Sequence, residues 1–327
     1  MLKNEKTPLI KLGLQPNRRS VCLQLALAPL MSLAWPAAGR TSGNAHVTEV
    51  SDGIFAHHGR VELQTASNHS DISNNGFIVG DDAVAVIDTG GSYQTGLSLR
   101  EAVKEATNKP IKYVINTHMH PDHVLGDAAF RQDNPQFVGH AKLARALGAR
   151  SARYLEAARE AMGETAFAGT EIVMPTLEIG EPTELDLGNR KIVLEPQPTA
   201  HTDNDLVVRD SKTGTAFLGD LIFSVHVPAL DGSIVGWLEV LEKFGTEAPA
   251  LVVPGHGPVA MQWPEASQPM LRYLGKLASD VRAIIKRGGT IKEAIETAGE
   301  SERGKWELFD EFHRRNVTAA FAELEWE

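Results

Sequence analysis

The chain has 327 residues and a formal net charge of −10, with 42% hydrophobic and 23% charged residues, the composition of an ordinary globular protein. Its one cysteine, Cys22, excludes a disulfide framework and a cysteine-rich zinc site, so any metal must be bound by histidine and carboxylate side chains. The acidic balance disfavours binding to phosphate backbones, and no nucleic-acid partner is expected.

Residues 1–39 resemble a secretory signal rather than a part of the fold. Basic residues precede an apolar run at 21–35 that is too short to span a membrane, and small residues follow it. The adjacent Arg18 and Arg19 indicate the twin-arginine export route. The prediction is a periplasmic protein that begins near residue 40 and has no membrane anchor after processing. A buried N-terminal helix is the alternative.

Strands followed by helices, twice over, are predicted between residues 46 and 260, which indicates an α/β fold of two βα halves. The predicted strands lie at residues 46–60, 76–79, 83–88, 111–116, 136–138, 177–218 and 251–253. The predicted helices lie at residues 92–106, 141–162 and 234–244. Residues 163–176 are predicted to be irregular and could form a lid.

The last part of the chain has a different pattern. Residues 263–327 carry apolar side chains at helical spacing, and the residues from Thr290 to Glu293 match the sequence pattern of a capping box. We predict a helical C-terminal extension that packs on the core. The expected organisation is a signal peptide at 1–39, an α/β domain at 40–262 and this extension at 263–327.

Residues 117–123 hold three histidines and an aspartate in the pattern H-x-H-x-D-H, directly after a predicted buried strand. His118 and His120 alternate, so in extended backbone they project to the same side. Imidazole and carboxylate groups suit zinc, and also iron or manganese. Further ligands in matching contexts follow later strands: His201, Asp220 and His256.

This order of residues resembles the metallo-β-lactamase fold superfamily over residues 46–260. The resemblance implies an αββα sandwich and a hydrolase with two Zn²⁺ ions per chain. The implied ligands are His118, His120 and His201 for one ion, and Asp122, His123 and His256 for the other, with Asp220 bridging them. The implied catalytic residues are Asp122 and Asp220, and the nucleophile is a metal-bridging hydroxide that Asp122 orients toward a carbonyl group.

The β-lactamases of the superfamily place cysteine or serine where this chain has Asp220. Aspartate there is similar to glyoxalase II and to thioesterase- or lactonase-like members, so a small-molecule ester, thioester or lactone is the expected substrate. Residues 201–206 and 228–237 look most like the periplasmic zinc metallohydrolases associated with quinoprotein (PQQ) dehydrogenases, which are related to SoxH-like proteins. That resemblance predicts a functional link to a quinoprotein dehydrogenase.

Three alternative functions remain open. The chain could hydrolyse amides as the β-lactamases do. It could also be an oxidoreductase with one iron ion, similar to the persulfide dioxygenases, which retain the H-x-H-x-D-H motif. A binding protein without activity on the same scaffold is the third alternative.

Several polar residues near the motif are candidates for supporting roles. Asp88, Asn116 and Thr117 are expected to orient the ligands. His226 is a candidate for the pocket, and Asp231 is either a turn residue or a helix cap.

Overall fold

The computed structural model describes residues 47–245 and 249–327. The signal peptide predicted at residues 1–39 lies outside these residues. All described residues belong to one compact unit, Gly39–Glu327. None of the described helices is long and apolar enough to cross a membrane.

The described residues form strands and helices in an order close to the predicted one. The strands are β1 (Val47–Ser51), β2 (Ile54–His57), β3 (Asn75–Val79), β4 (Val84–Ile87), β5 (Ile111–Ile115), β6 (Gln136–His140), β7 (Leu177–Ile179), β8 (Thr183–Asp186), β9 (Lys191–Pro196), β10 (Leu206–Asp210), β11 (Thr215–Phe223) and β12 (Leu251–His256). The α-helices are α1 (Tyr93–Ala106), α2 (Pro121–Val124), α3 (Leu143–Phe167), α4 (Ile234–Phe244), α5 (Gln268–Lys286), α6 (Ile291–Thr297) and α7 (Phe309–Leu324).

The strands form two sheets that face each other. The first sheet has the order β1-β2-β3-β4-β5-β6-β7, antiparallel as far as β4 and parallel from β4 onward. The second has the order β12-β11-β10-β9-β8, and only its β11–β12 pair is parallel. Ile78 and Ile115 of the first sheet share a core with Leu194 and Val208 of the second, so the two sheets pack face to face.

Helices cover the outer face of each sheet. Successive strand residues point to opposite faces, so Phe77 and Val86 lie on the outer side and share a core with Leu99 of α1. On the other side of the sandwich, Trp237 of α4 and Tyr273 of α5 pack in one core with β11 and α7. The predicted αββα sandwich with C-terminal helices is therefore confirmed. The domain boundary at residue 262 stays a prediction.

Two details differ from the prediction. Helix α3 continues past residue 162 to Phe167, because the chain resumes a helical turn after Gly163, whose φ of 74° is not helical. The buried side chain of Phe167 anchors that turn, so the irregular segment is shorter than predicted. Asp220 and His256 were expected on loops that follow strands. Asp220 instead lies within β11, next to a bulge at Gly219, and His256 is the last residue of β12.

Candidate metal centre

The seven candidate ligands come from four parts of the chain that meet at one edge of the sandwich. The H-x-H-x-D-H segment follows β5, and His120 is the N-cap residue of α2. His201 lies between β9 and β10, and Asp220 and His256 lie on the neighbouring strands β11 and β12. A side chain at Gly255 would come within 1.9 Å of Asp220 Oδ1, so only glycine lets these two strands approach this closely.

The carboxylate of Asp220 lies between two groups of imidazoles. Its Oδ2 is 3.3 Å from His201 Nε2 and 3.5 Å from His118 Nε2. Its Oδ1 is 3.0 Å from His123 Nε2 and 3.4 Å from His256 Nε2. The single carboxylate of Asp220 therefore faces both groups, one with Oδ2 and the other with Oδ1.

The remaining candidate ligands complete the two groups. His120 Nδ1 lies 2.9 Å from His201 Nε2, and Asp122 Oδ2 lies 3.3 Å from His256 Nε2. In each group the candidate ligand atoms are within 4.8 Å of one another. The first group is His118, His120, His201 and Asp220, and the second is Asp122, His123 and His256.

Asp88 orients two of the histidines from behind. Its Oδ1 accepts the backbone N–H of Thr117, and its Oδ2 accepts the Thr117 hydroxyl, both at 2.8 Å. His123 Nδ1 donates to Asp88 Oδ2 at 2.8 Å, and His118 Nδ1 donates to Thr117 Oγ1 at 3.1 Å. Because Nδ1 carries the proton in both rings, Nε2 is left with its lone pair toward Asp220.

Two more histidines are held in the same way. His256 Nδ1 donates to the Ile72 carbonyl oxygen at 2.9 Å. His120 Nε2 lies 3.1 Å from Asp231 Oδ2, and Arg150 also donates to the Asp231 carboxylate. His256 therefore presents Nε2 to the centre, and His120 presents Nδ1.

These hydrogen bonds leave the inward-facing ring nitrogens without a proton. At the centre of the site, these nitrogen acceptors therefore face the carboxylate oxygen atoms, which are also acceptors. Three of the inward-facing atoms, His118 Nε2, His123 Nε2 and Asp220 Oδ1, are buried and have no hydrogen-bond partner among the described residues. Unpaired buried polar atoms are costly, and a cation that accepts lone pairs from all of them removes that cost. The residues therefore fit a metal ion in each group.

The pKa values of the site agree with this reading. Burial lowers the pKa of His201 to about 3 and holds that of His118 well below its usual value, so both rings are neutral ligands. Burial has the same tendency at His123 and His256, but the neighbouring carboxylates, with Asp220 first among them, outweigh it. They raise the pKa of His123 well above its usual value and that of His256 to about 9. Positive charge is thus favoured beside these carboxylates, and a metal ion supplies it without protonating a ligand.

Residues 70–256 match the family model described as the metallo-beta-lactamase superfamily. The chain belongs to this superfamily. A metallo-beta-lactamase from Pontibacter korlensis has a similar fold, with a TM-score of 0.57, 18% sequence identity, and coverage of 71% of this chain and 99% of the other. The protein TMB-1 gives a TM-score of 0.54 and 21% identity, with coverage of 71% and 98%.

A search of curated proteins found no match. Superfamily membership and the candidate ligand groups support a metal-dependent hydrolase.

The supporting residues differ partly from the sequence-based expectations. Asp88 and Thr117 contact ligands as expected, whereas Asn116 donates to Asp127 instead. Asp231 does not cap α4, because Ser233 is the N-cap residue and its side chain accepts the Gly236 N–H.

The carbonyl of Ile72 and the guanidinium of Arg150 were not foreseen. A backbone oxygen and a lone arginine in a helix carry no motif, and they reach the site only through tertiary packing.

His226 lies in the wall of the cavity above the ligands. The His226 N–H donates to the Ser224 carbonyl at 2.9 Å, closing a tight turn at Val225, whose φ of 74° is unfavourable for a β-branched residue. His226 Nδ1 donates to the Val227 carbonyl at 2.9 Å, and the other ring nitrogen has no hydrogen bond to the described residues. Burial lowers the pKa of His226 to about 4, so this Nε2 is available as an acceptor for a bound molecule.

The protonation state of the buried Asp127 carboxyl can be tested through its effect on the free energy of unfolding. Burial raises its pKa to about 7, and its Oδ2 has no partner among the described residues. An unfolded aspartate loses its proton near pH 4, so between about pH 4 and pH 7 the folded state binds more protons than the unfolded state. The contribution of Asp127 to the free energy of unfolding should therefore fall over this range. Asp127→Asn removes this titration, and should gain up to about 4 kcal/mol relative to wild type between pH 4 and pH 8.

The measurement is urea unfolding of the metal-free proteins at several pH values. An unchanged difference between Asp127→Asn and wild type from pH 4 to pH 8 would show that Asp127 is ionised in the folded protein throughout.

Proposed function

We propose that the chain is a dinuclear zinc hydrolase that cleaves an ester, thioester or lactone bond in a small molecule. The observation that carries the proposal is the position of Asp220, whose two oxygen atoms face two separate groups of nitrogen ligands. Asp220 would bridge two ions, the first with His118, His120 and His201, and the second with Asp122, His123 and His256. When bound, the two ions would lower the pKa of a shared water to about 7 and polarise the carbonyl oxygen of the substrate.

The chain's own residues would orient the reactants. Burial favours neutral Asp122, but His123 and His256 outweigh it and hold the pKa of Asp122 well below its usual range. Asp122 is therefore a carboxylate at neutral pH, and its Oδ2 can accept a hydrogen bond from the attacking water. Asp231 keeps His120 in the orientation that presents Nδ1. His226, which also lines the cavity, can accept a hydrogen bond from the substrate at Nε2.

We also propose that the protein is exported to the periplasm and acts beside a quinoprotein dehydrogenase. Arg18 and Arg19, the apolar run after them and the SoxH-like stretches of sequence support this proposal. N-terminal sequencing of the mature protein should find a start near residue 40. An intact Met1 in the protein from its native cell would contradict export with processing.

The test of the hydrolase is a substrate panel with zinc-loaded protein. We expect turnover of at least one aryl ester, thioester or lactone, its loss on chelation, and recovery when zinc is returned. Aspartate at the position of Asp220 is similar to the esterase-type members of the superfamily. We therefore expect a chromogenic cephalosporin to be hydrolysed with kcat/KM below about 10⁴ M⁻¹s⁻¹.

One result of this panel, and one result of a separate measurement of oxygen uptake and metal content, would contradict the proposal. Efficient cephalosporin turnover would favour the amide-hydrolase alternative, which the fold shared with a protein named as a metallo-beta-lactamase keeps open. Oxygen uptake by protein that holds one iron ion would favour the dioxygenase alternative.

A further inference from the structure

The cavity above the candidate ligands is large enough to bind much more than the bond that reacts. Its volume is about 760 Å³, within the range of sites that enclose small organic ligands. Asp122, Asp220 and His256 lie in its lining, and the walls include residues of α3 and α7. The walls of the cavity that lie away from these ligands therefore indicate which chemical groups the rest of the substrate carries.

Two arginines in this wall have no partner for their charge. Arg153 of α3 and Arg315 of α7 both line the cavity and are exposed to solvent. Among the arginines at positions 47–245 and 249–327, only these two and Arg314 have a guanidinium group that forms neither an ion pair nor a hydrogen bond. Each of the others is paired: Arg60, Arg100, Arg131, Arg145, Arg150, Arg159, Arg190, Arg209, Arg272, Arg282, Arg287 and Arg303.

The other charged groups of the wall are already compensated. Arg150 and Asp231 form an ion pair with each other. The Glu62 carboxylate lies 3.9 Å from Arg60 and accepts the side-chain amide of Asn68 at 3.0 Å. Two free guanidinium groups therefore set the charge of this wall, although the chain as a whole has a formal net charge of −10.

Apolar side chains form much of the remaining surface of the cavity. Leu63, Phe223, Leu230 and Phe312 all contribute to the lining. A ligand that fills this space buries an apolar body against them and needs a negative group where the arginines lie.

We propose that the cavity binds an acyl substrate with an apolar body and a carboxylate group, and that Arg153 and Arg315 bind the carboxylate. The planar guanidinium group matches a carboxylate with two parallel N–H···O hydrogen bonds, which gives orientation as well as affinity. Binding there leaves the ester, thioester or lactone carbonyl free to reach Asp122 and Asp220. The assignment of a reacting carbonyl rests on the proposed hydrolase function, but the anion site does not.

A binding experiment tests the anion site without any reaction. The probes are 4-phenylbutane-1-sulfonate and its neutral analogue, methyl 4-phenylbutyl sulfone, titrated into zinc-loaded protein by calorimetry. A sulfonate stands in for the carboxylate because it is a poor metal ligand, so its affinity reports on the arginines. Wild-type protein should bind the sulfonate roughly ten-fold more tightly than the sulfone, a difference of about 1.4 kcal/mol.

Arg153→Gln combined with Arg315→Gln should abolish this preference. Arg314→Gln is the matched control, since Arg314 is also exposed and unpaired but does not line the cavity. It should keep the wild-type preference. Equal binding of both probes to wild type, no detectable sulfonate binding, or an equal loss in Arg314→Gln would each overturn the proposal.

A second measurement separates this inference from the hydrolase proposal. Aryl thioesters of glutaric acid and of its neutral monoamide are compared by kcat/KM in wild type and in the double variant. A preference of about ten-fold for the acid, lost in the double variant, supports the inference. Equal hydrolysis of both thioesters overturns it and leaves the hydrolase standing. Selective sulfonate binding without hydrolysis of either thioester supports the anion site and counts against the hydrolase.

Discussion

Replacing Asp122 by asparagine should lower kcat/KM by about a thousand-fold on any confirmed substrate, within the 10²–10⁴-fold range of a positioned acid or base. The reason is local. Asp122 Oδ2 lies 3.3 Å from His256 Nε2 and 3.6 Å from His123 Nε2, at the floor of the cavity where the reacting water is expected. Asparagine keeps the size of the side chain but removes the charge that binds and orients that water.

The matched control for this prediction is Asp203→Asn. Asp203 lies close to the site in sequence, two residues after His201, but it pairs with Arg145 instead of facing the cavity. This variant should stay within about two-fold of wild type. Thermal unfolding and metal content should be measured for both variants. Near-normal turnover by folded, metal-loaded Asp122→Asn would show that this carboxylate does not take part in the reaction.

Replacing Asp88 by asparagine should destabilise the folded protein by about 3–5 kcal/mol and weaken zinc binding by about 10–100-fold. Asp88 is buried, with 2% of its surface exposed, and its two carboxylate oxygen atoms accept three hydrogen bonds from Thr117 and His123. An amide group at this position points its own N–H groups at one or more of these donors. His123 then loses its fixed orientation, and a buried donor is left without an acceptor.

Asp127→Asn is the control for the Asp88 variant, because it makes the same chemical change at a nearby buried carboxyl. The pKa of Asp127 is already raised to about 7, so it needs no negative charge to be stable. Urea unfolding at pH 7 measures the stability of both variants, and competition with a chromogenic chelator measures their zinc affinity. Equal stability and equal zinc affinity of the two variants would contradict the role assigned to Asp88.

The strand pattern and the spacing of the histidines were enough to predict the architecture. Phe77 and Ile78 belong to a short continuous apolar run, which is typical of a strand that is buried on both faces. Both faces of β3 are apolar because the sheet is covered on both sides. The candidate ligands were predictable because each stands beside a strand end or a glycine turn. Their convergence on one edge follows from the order of the strands.

What the sequence could not predict depends on packing between distant segments. His120 meets Asp231 across 111 positions, and His256 meets the Ile72 carbonyl across 184 positions. Asp231 begins an Asp-Gly-Ser stretch, which is also typical of a turn. No local pattern therefore distinguishes a turn residue from one that orients His120. Arg153 and Arg315 are ordinary helix residues until α3 and α7 are placed on the same cavity.

We propose that these seven side chains hold two metal ions, one on either side of Asp220. Anomalous diffraction from crystals of the zinc-loaded protein, recorded on both sides of the zinc absorption edge, would locate these ions. We predict two peaks per chain, one beside His118, His120 and His201 and the other beside Asp122, His123 and His256. A single peak at full zinc loading, or no peak next to Asp220, would contradict the claim.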